Sequence, residues 1–147
     1  MSLALDAVFI NALSADSALM EDIDSNLYGT AIPVPDKDTV NTPLPFVIVT
    51  FDGMRNDTSD KDIDDMEGSE DIVTISVEVA AKTLDELHQL TTVVRNDIRD
   101  YMSNADNEAE GYALPSDYTL TAGAIQFDDR KPCFWQILTY ECITSRG

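Results

Sequence analysis

Residues 71–102 read DIVTISVEVAAKTLDELHQLTTVVRNDIRDYM, and the spacing of their apolar residues changes once, at Lys82 and Thr83. Before the change, Val73, Ile75, Val77 and Val79 alternate with Thr74, Ser76 and Glu78, the pattern of an antiparallel strand with one face buried. After it, Leu84, Leu87, Leu90, Val94, Ile98 and Tyr101 recur at helical spacing. Thr83 and Glu86 spell a capping box at the helix start, because a threonine hydroxyl there can satisfy the amide three residues on. The spacing therefore predicts a strand over 72–80 that runs directly into a capped amphipathic helix.

Working outward, Leu5, Val8, Phe9, Ala12 and Leu13 predict an N-terminal helix over 3–13 that breaks near Ser14, and Asp16 is an N-cap type before a second short turn. Four of the six prolines fall between Asn26 and Phe46, which excludes a regular helix and marks an extended connector into a strand over 46–51. Downstream of the long helix, residues 103–117 are polar and read as a loop. YTLTAGAIQF (118–127) and FWQILTYECIT (134–144) read as two strands joined by the turn-rich DDRKP. The expected fold is α+β: a single domain over 1–147 whose mainly antiparallel four-stranded sheet carries its helices on one face, with a mobile acidic loop at about 53–71.

Composition narrows the function. With 28 acidic and nine basic residues the formal charge is −19, and unaided binding to nucleic-acid phosphates or anionic lipid is disfavoured because it needs clustered Lys and Arg. No apolar run approaches the roughly 20 residues that span a bilayer, and the first residues lack the basic region of a secretory signal. Cys133 and Cys142 lie on one expected strand with opposite parity, so they project to opposite faces and are expected to remain unbridged thiols, as in a reducing compartment.

The acidic stretch is DTSDKDIDDMEGSED, residues 57–71, in which Asp57, Asp60, Asp62, Asp64, Asp65, Glu67, Glu70 and Asp71 are acidic and only Lys61 is basic. Read as an EF-hand loop from Asp60, it has Asp65 where the sharp turn needs glycine and Asp71 where the bidentate glutamate belongs, and strands flank it instead of helices. A solvated loop between strands is the better reading, and no specific metal site is expected. His88 is the only imidazole and sits within the long helix with no nucleophile motif near it; the glycines form no phosphate-cradling loop. Neither catalytic residues nor a cofactor site is expected, and the chain reads as a non-enzyme. Phe134 and Trp135 point to opposite faces of the last strand, one toward the core and the other available as an interface anchor.

Three stretches together, FINALSADSALMEDIDSNLYGTAIP (9–33), PLPFVIVTF (43–51) and VTISVEVAAKTLDELHQLTTVVRNDI (73–98), resemble the tail terminator, or tail-completion, proteins of long-tailed bacteriophages and prophages. The shared pattern is a helix followed by the turn at Leu13–Leu19, the Tyr-Gly and proline connector at 28–35, the strand from Pro45 to Phe51, the strand ending in alanine at 73–81, and the threonine-capped helix at 83–98. The acidity and the long loop of this sequence depart from that pattern. The resemblance implies a structural virion protein with no enzyme activity and no cofactor. It implies a homo-oligomeric ring, hexameric in the family, that caps the tail-tube protein at the neck end of the tail and offers a joining surface to the head–tail connector. Assembly would occur in the host cytoplasm, and DNA would pass through without specific binding. On that basis the carboxylates of 57–71 would line the lumen or meet the tube, since a negative wall repels phosphates. Arg55, Arg130, Lys131 and Trp135 would contact a neighbouring subunit. The alternatives are an acidic DNA-mimic inhibitor of a nucleic-acid enzyme and a head–tail adaptor of the same assembly.

Overall fold

The computed structural model describes residues 5–29, 43–57, 70–104, 114–115, 117–129 and 132–145. In chain order they form α1 (Leu5–Ser14), α2 (Ser17–Asp22), β1 (Leu27–Tyr28), β2 (Phe46–Asp57), β3 (Glu70–Ala81), α3 (Leu84–Met102), β4 (Asp117–Ala122), β5 (Gln126–Asp128) and β6 (Cys133–Ser145). The strands make one six-stranded sheet in the order β1-β2-β3-β6-β4, with β5 paired to β6 beyond the end of β4. β1 runs parallel to β2 and the remaining pairs are antiparallel.

A six-stranded mixed sheet corrects the expected four-stranded, mainly antiparallel one, for two local reasons. β1 has only two residues, too few to display an alternating pattern, and it follows a turn in which Asp24 and Ser25 both take left-handed backbone angles, φ 53° and 60°. Asn26 fixes what comes next: its carbonyl accepts from the Val47 amide at 2.9 Å, and its side-chain amide donates to the Pro45 carbonyl at 3.1 Å. The second reason is that residues 118–127 are two strands. The ladder breaks at Gly123, whose carbonyl accepts from the Gln136 side chain at 2.8 Å, and pairing with β6 resumes at Gln126.

The pivot at Lys82 and Thr83 forms as the sequence predicts. Val73, Ile75, Val77 and Val79 are fully buried, and α3 begins with the Thr83 hydroxyl accepting from the Glu86 amide at 3.2 Å. α3 buries Leu87, Leu90, Thr91, Val94, Ile98 and Met102, while Leu84 is left 41% exposed at the first turn. α1 contributes Leu5, Val8, Phe9, Ala12 and Leu13 to the same core. The Phe9 ring meets Tyr140 of β6 edge-on with centroids 5.0 Å apart, which anchors α1 to the sheet. Asp16 caps α2 by accepting from the Leu19 amide at 3.1 Å.

Candidate assembly surfaces

The apolar core lies between the helices and one face of the sheet. The opposite face carries Tyr28, Phe46, Ile48, Ala80 and Trp135 at one end, a cluster whose described members come from the strands and from Leu44 just before β2. Trp135 is half-buried there, across from Ala80 on β3, whereas Phe134 faces the helix side and stacks at a tilt on Phe127, centroids 5.1 Å apart. Toward the middle of this face the residues become polar: Thr50, Ser76 and Thr139 share a row, and the Ser76 hydroxyl donates to the Asp52 carboxylate. Glu78 sits between Ile48 and Ile137, and burial pushes its carboxyl above the usual range. Tyr28, Phe46 and Ala80 of this cluster are buried, so it is a second apolar cluster on the other side of the sheet from the main core.

At the far end of β2 and β3 the strands enter the acidic stretch. β2 continues to Asp57 and β3 begins at Glu70, and those two residues pair across the ladder, so both strands are longer than the sequence pattern suggested. Asp71 faces the helix side and is only 6% exposed, so the structure places it in the sheet and not in a solvated loop. The Thr144 hydroxyl of β6 donates to its carbonyl at 3.4 Å. Asp60, Asp62, Asp64, Asp65 and Glu67 lie outside the described residues, as do Arg130 and Lys131. Arg55 is exposed on β2, level with Ile72 of β3. Of the residues expected to touch a neighbour, Arg55 and Trp135 therefore share the face opposite the helices, at its two ends.

Two polar features had no sequence signal. Asp97 of α3 meets the capping carboxylate Asp16; its Oδ2 is buried without a hydrogen-bond donor among the described residues. Desolvation first, then the shared hydrogen bond with Asp16 and the charges of Asp16 and Asp100, push Asp97 up to about 7. Asp16 moves the other way, held below the carboxylate range by Asp97 and by the Leu19 amide. The second feature is a groove of about 170 Å³ between α2 and α3, lined by Asp22, Glu86, Gln89, Leu90 and Val93. Glu86 Oε1 is buried there without a partner among the described residues. Asp97 lies far from Asp16 in sequence, as Glu86 does from Asp22, and the packing of α2 on α3 brings each pair together. His88 is exposed on α3, where its carbonyl accepts from the hydroxyls of Thr91 and Thr92. Both cysteines lie on β6 and are buried, Cys133 on the face opposite the helices and Cys142 toward the core, where burial pushes its thiol up to about 12.

No family model and no curated protein matches the chain. Among solved structures, it is similar to a chain from the virion of a native gene transfer agent particle, with a TM-score of 0.58 and 13% sequence identity. That likeness covers 96% of this chain and 94% of the other, so the two share a fold along nearly their whole lengths.

Proposed function

We propose that this chain is a structural protein of a phage-like virion, forming a ring that caps the tail tube and joins it to the head connector. What supports the reading is the fold likeness, over nearly all of both chains, to a chain of a gene transfer agent virion. It agrees in kind with the tail-terminator resemblance of residues 3–102, which rests on sequence alone. In such a ring the formal charge of −19 per subunit keeps the DNA path repulsive to phosphate, so the genome passes without sticking.

The test is to add the purified chain to tail tubes growing from their tube protein. Elongation should stop, and negative-stain images should show a ring seated on one tube end. Tubes that keep growing with bare ends would refute the capping role. A ring that ignores the tube and binds the isolated connector would instead assign the chain to the adaptor position.

A further inference from the structure

α2 packs along α3 with carboxylates at both ends of the seam: Asp16 meets Asp97 at one end, and Asp22 and Glu86 line the groove at the other. Asp97 Oδ2 and Glu86 Oε1 are two of the three buried polar side-chain atoms without a hydrogen-bond partner among the described residues, so both ends of the seam lack a donor. At the first end a proton held between the two carboxyls supplies one. At the groove the lining is two carboxylates and the Gln89 amide over Leu90 and Val93, with no lysine or arginine among the described residues. Lys82, the base nearest Glu86 in the chain, is exposed and precedes the Thr83 cap. A buried carboxylate oxygen without a donor carries its full desolvation cost, so a donor that enters the groove is held by what it restores.

The shape and chemistry of the groove narrow that donor. Its volume of about 170 Å³ is below the roughly 300–1,000 Å³ of small-molecule sites and suits one inserted side chain. Two carboxylates are too few for calcium, which takes about 6–8 oxygens, and among the described residues no group of three His, Cys, Asp or Glu is placed to hold a metal ion. Leu90 is buried and Val93 half-buried, which gives an aliphatic stem a surface to lie on. Asp22, Glu86 and the Gln89 carbonyl give acceptors, and the planar five-donor fork of a guanidinium serves several acceptors better than the point charge of an ammonium. A second copy of this chain would bring a further −19 with each arginine, whereas a basic protein is drawn in by the same charge.

We propose that the α2–α3 groove receives an arginine side chain from a basic partner protein, with the guanidinium between Asp22 and Glu86 and the stem along Leu90 and Val93. The groove lies between helices, and its occupant does not depend on the ring proposed above.

The probe is the peptide acetyl-Gly-Arg-Gly-amide, titrated into the isotope-labelled full chain at low salt while amide resonances are followed. Shifts should be confined to Asp22, the Gln89 side-chain amide and the backbone of 86–93. The same peptide with citrulline, which keeps the shape and loses the charge, or with lysine should bind about tenfold more weakly. E86Q keeps the capping-box geometry and should also weaken binding about tenfold, whereas E21Q, an exposed position of α2 that does not line the groove, should leave it within about twofold. Q89R supplies the guanidinium from within, three residues from Glu86, so it should raise the thermal midpoint and abolish peptide binding; this arm decides the matter even if E86Q fails to fold. Shifts spread over the whole acidic surface, equal binding of the citrulline peptide, or equal losses in E21Q and E86Q would reduce the effect to the general attraction of an acidic chain and overturn the groove. Equal binding of the lysine peptide would overturn the choice of arginine, and a Q89R chain that binds as the wild type does would overturn the site.

Discussion

Among the described residues Tyr140 is the largest fully buried side chain, and its hydroxyl has no hydrogen-bond partner there. Burial, with the neighbouring Tyr118, holds its phenol above the usual range, so it stays neutral. A desolvated hydroxyl without a partner costs about 1–3 kcal/mol, and the ring contacts to Phe9 and Tyr118 do not need it. Tyr140→Phe should therefore raise the thermal midpoint by a few degrees; a lower midpoint would reveal a hydrogen bond that the hydroxyl makes. Asp97 poses the opposite case, a polar group whose burden depends on pH. Its folded-state pKa of about 7 lies above the unfolded value of about 3.9. Its contribution is thus most favourable below the unfolded value and is lost as pH rises through about 7, where two carboxylates face each other. The lowered pKa of Asp16 has the reverse sign, and its contribution is lost only as pH falls below the ordinary carboxylate range. Asp97→Asn can donate to Asp16 at any pH. Its gain over the wild type in urea midpoint should be small at pH 5 and clear at pH 8. An equal gain at both values would remove the shared proton from the account.

At the scale of elements, the turn between α2 and β1 is where, among the described residues, the backbone departs most from its sequence. Asp24 and Ser25 are left-handed in succession, and the Ser25 amide donates to the Met20 carbonyl at 2.8 Å to hold the reversal. A left-handed angle costs an ordinary residue about 1–2 kcal/mol, less for aspartate and nothing for glycine. Ser25→Gly should raise stability, by less than that figure because glycine also loosens the unfolded chain. Urea unfolding measures the balance, and a fall would show that the serine side chain holds the turn. The same turn explains why β1 was illegible: no glycine or asparagine stands at 24 or 25 to flag it, and a two-residue strand has no period. By contrast the strand at 73–79, the N-caps Asp16 and Thr83, and the apolar positions of α1 were readable, because each depends on residues within one or two turns of itself. β2 outran its expected end at Phe51 because the ladder passes the bulge at Phe51 and Gly53 and continues through Met54 and Arg55, whose exposed side chains carry no strand signature.

Over the whole molecule, charge and shape make opposing demands on assembly. The sequence showed the charge of −19 and the apolar pattern that builds the core, but not the row that sets Arg55 level with Asp117, because that row crosses four strands that are separate in the chain. Arg99 pairs with its exposed neighbour Asp100 on α3, and with 28 acidic against nine basic residues most carboxylates have no basic partner to meet. In the proposed ring, bringing copies together costs repulsion summed over every pair of subunits. Exposed charges interact over roughly 30 Å at 0.01 M salt but only about 10 Å at 0.1 M. In that proposed ring salt weakens the repulsions between all pairs of subunits. Light scattering should show the chain monomeric at low ionic strength and its mass rising with salt. Magnesium should raise it further than sodium at equal ionic strength, because a divalent ion condenses more strongly between crowded carboxylates. An oligomer that instead dissociates as salt is added would mean that attraction across the joints outweighs the net charge.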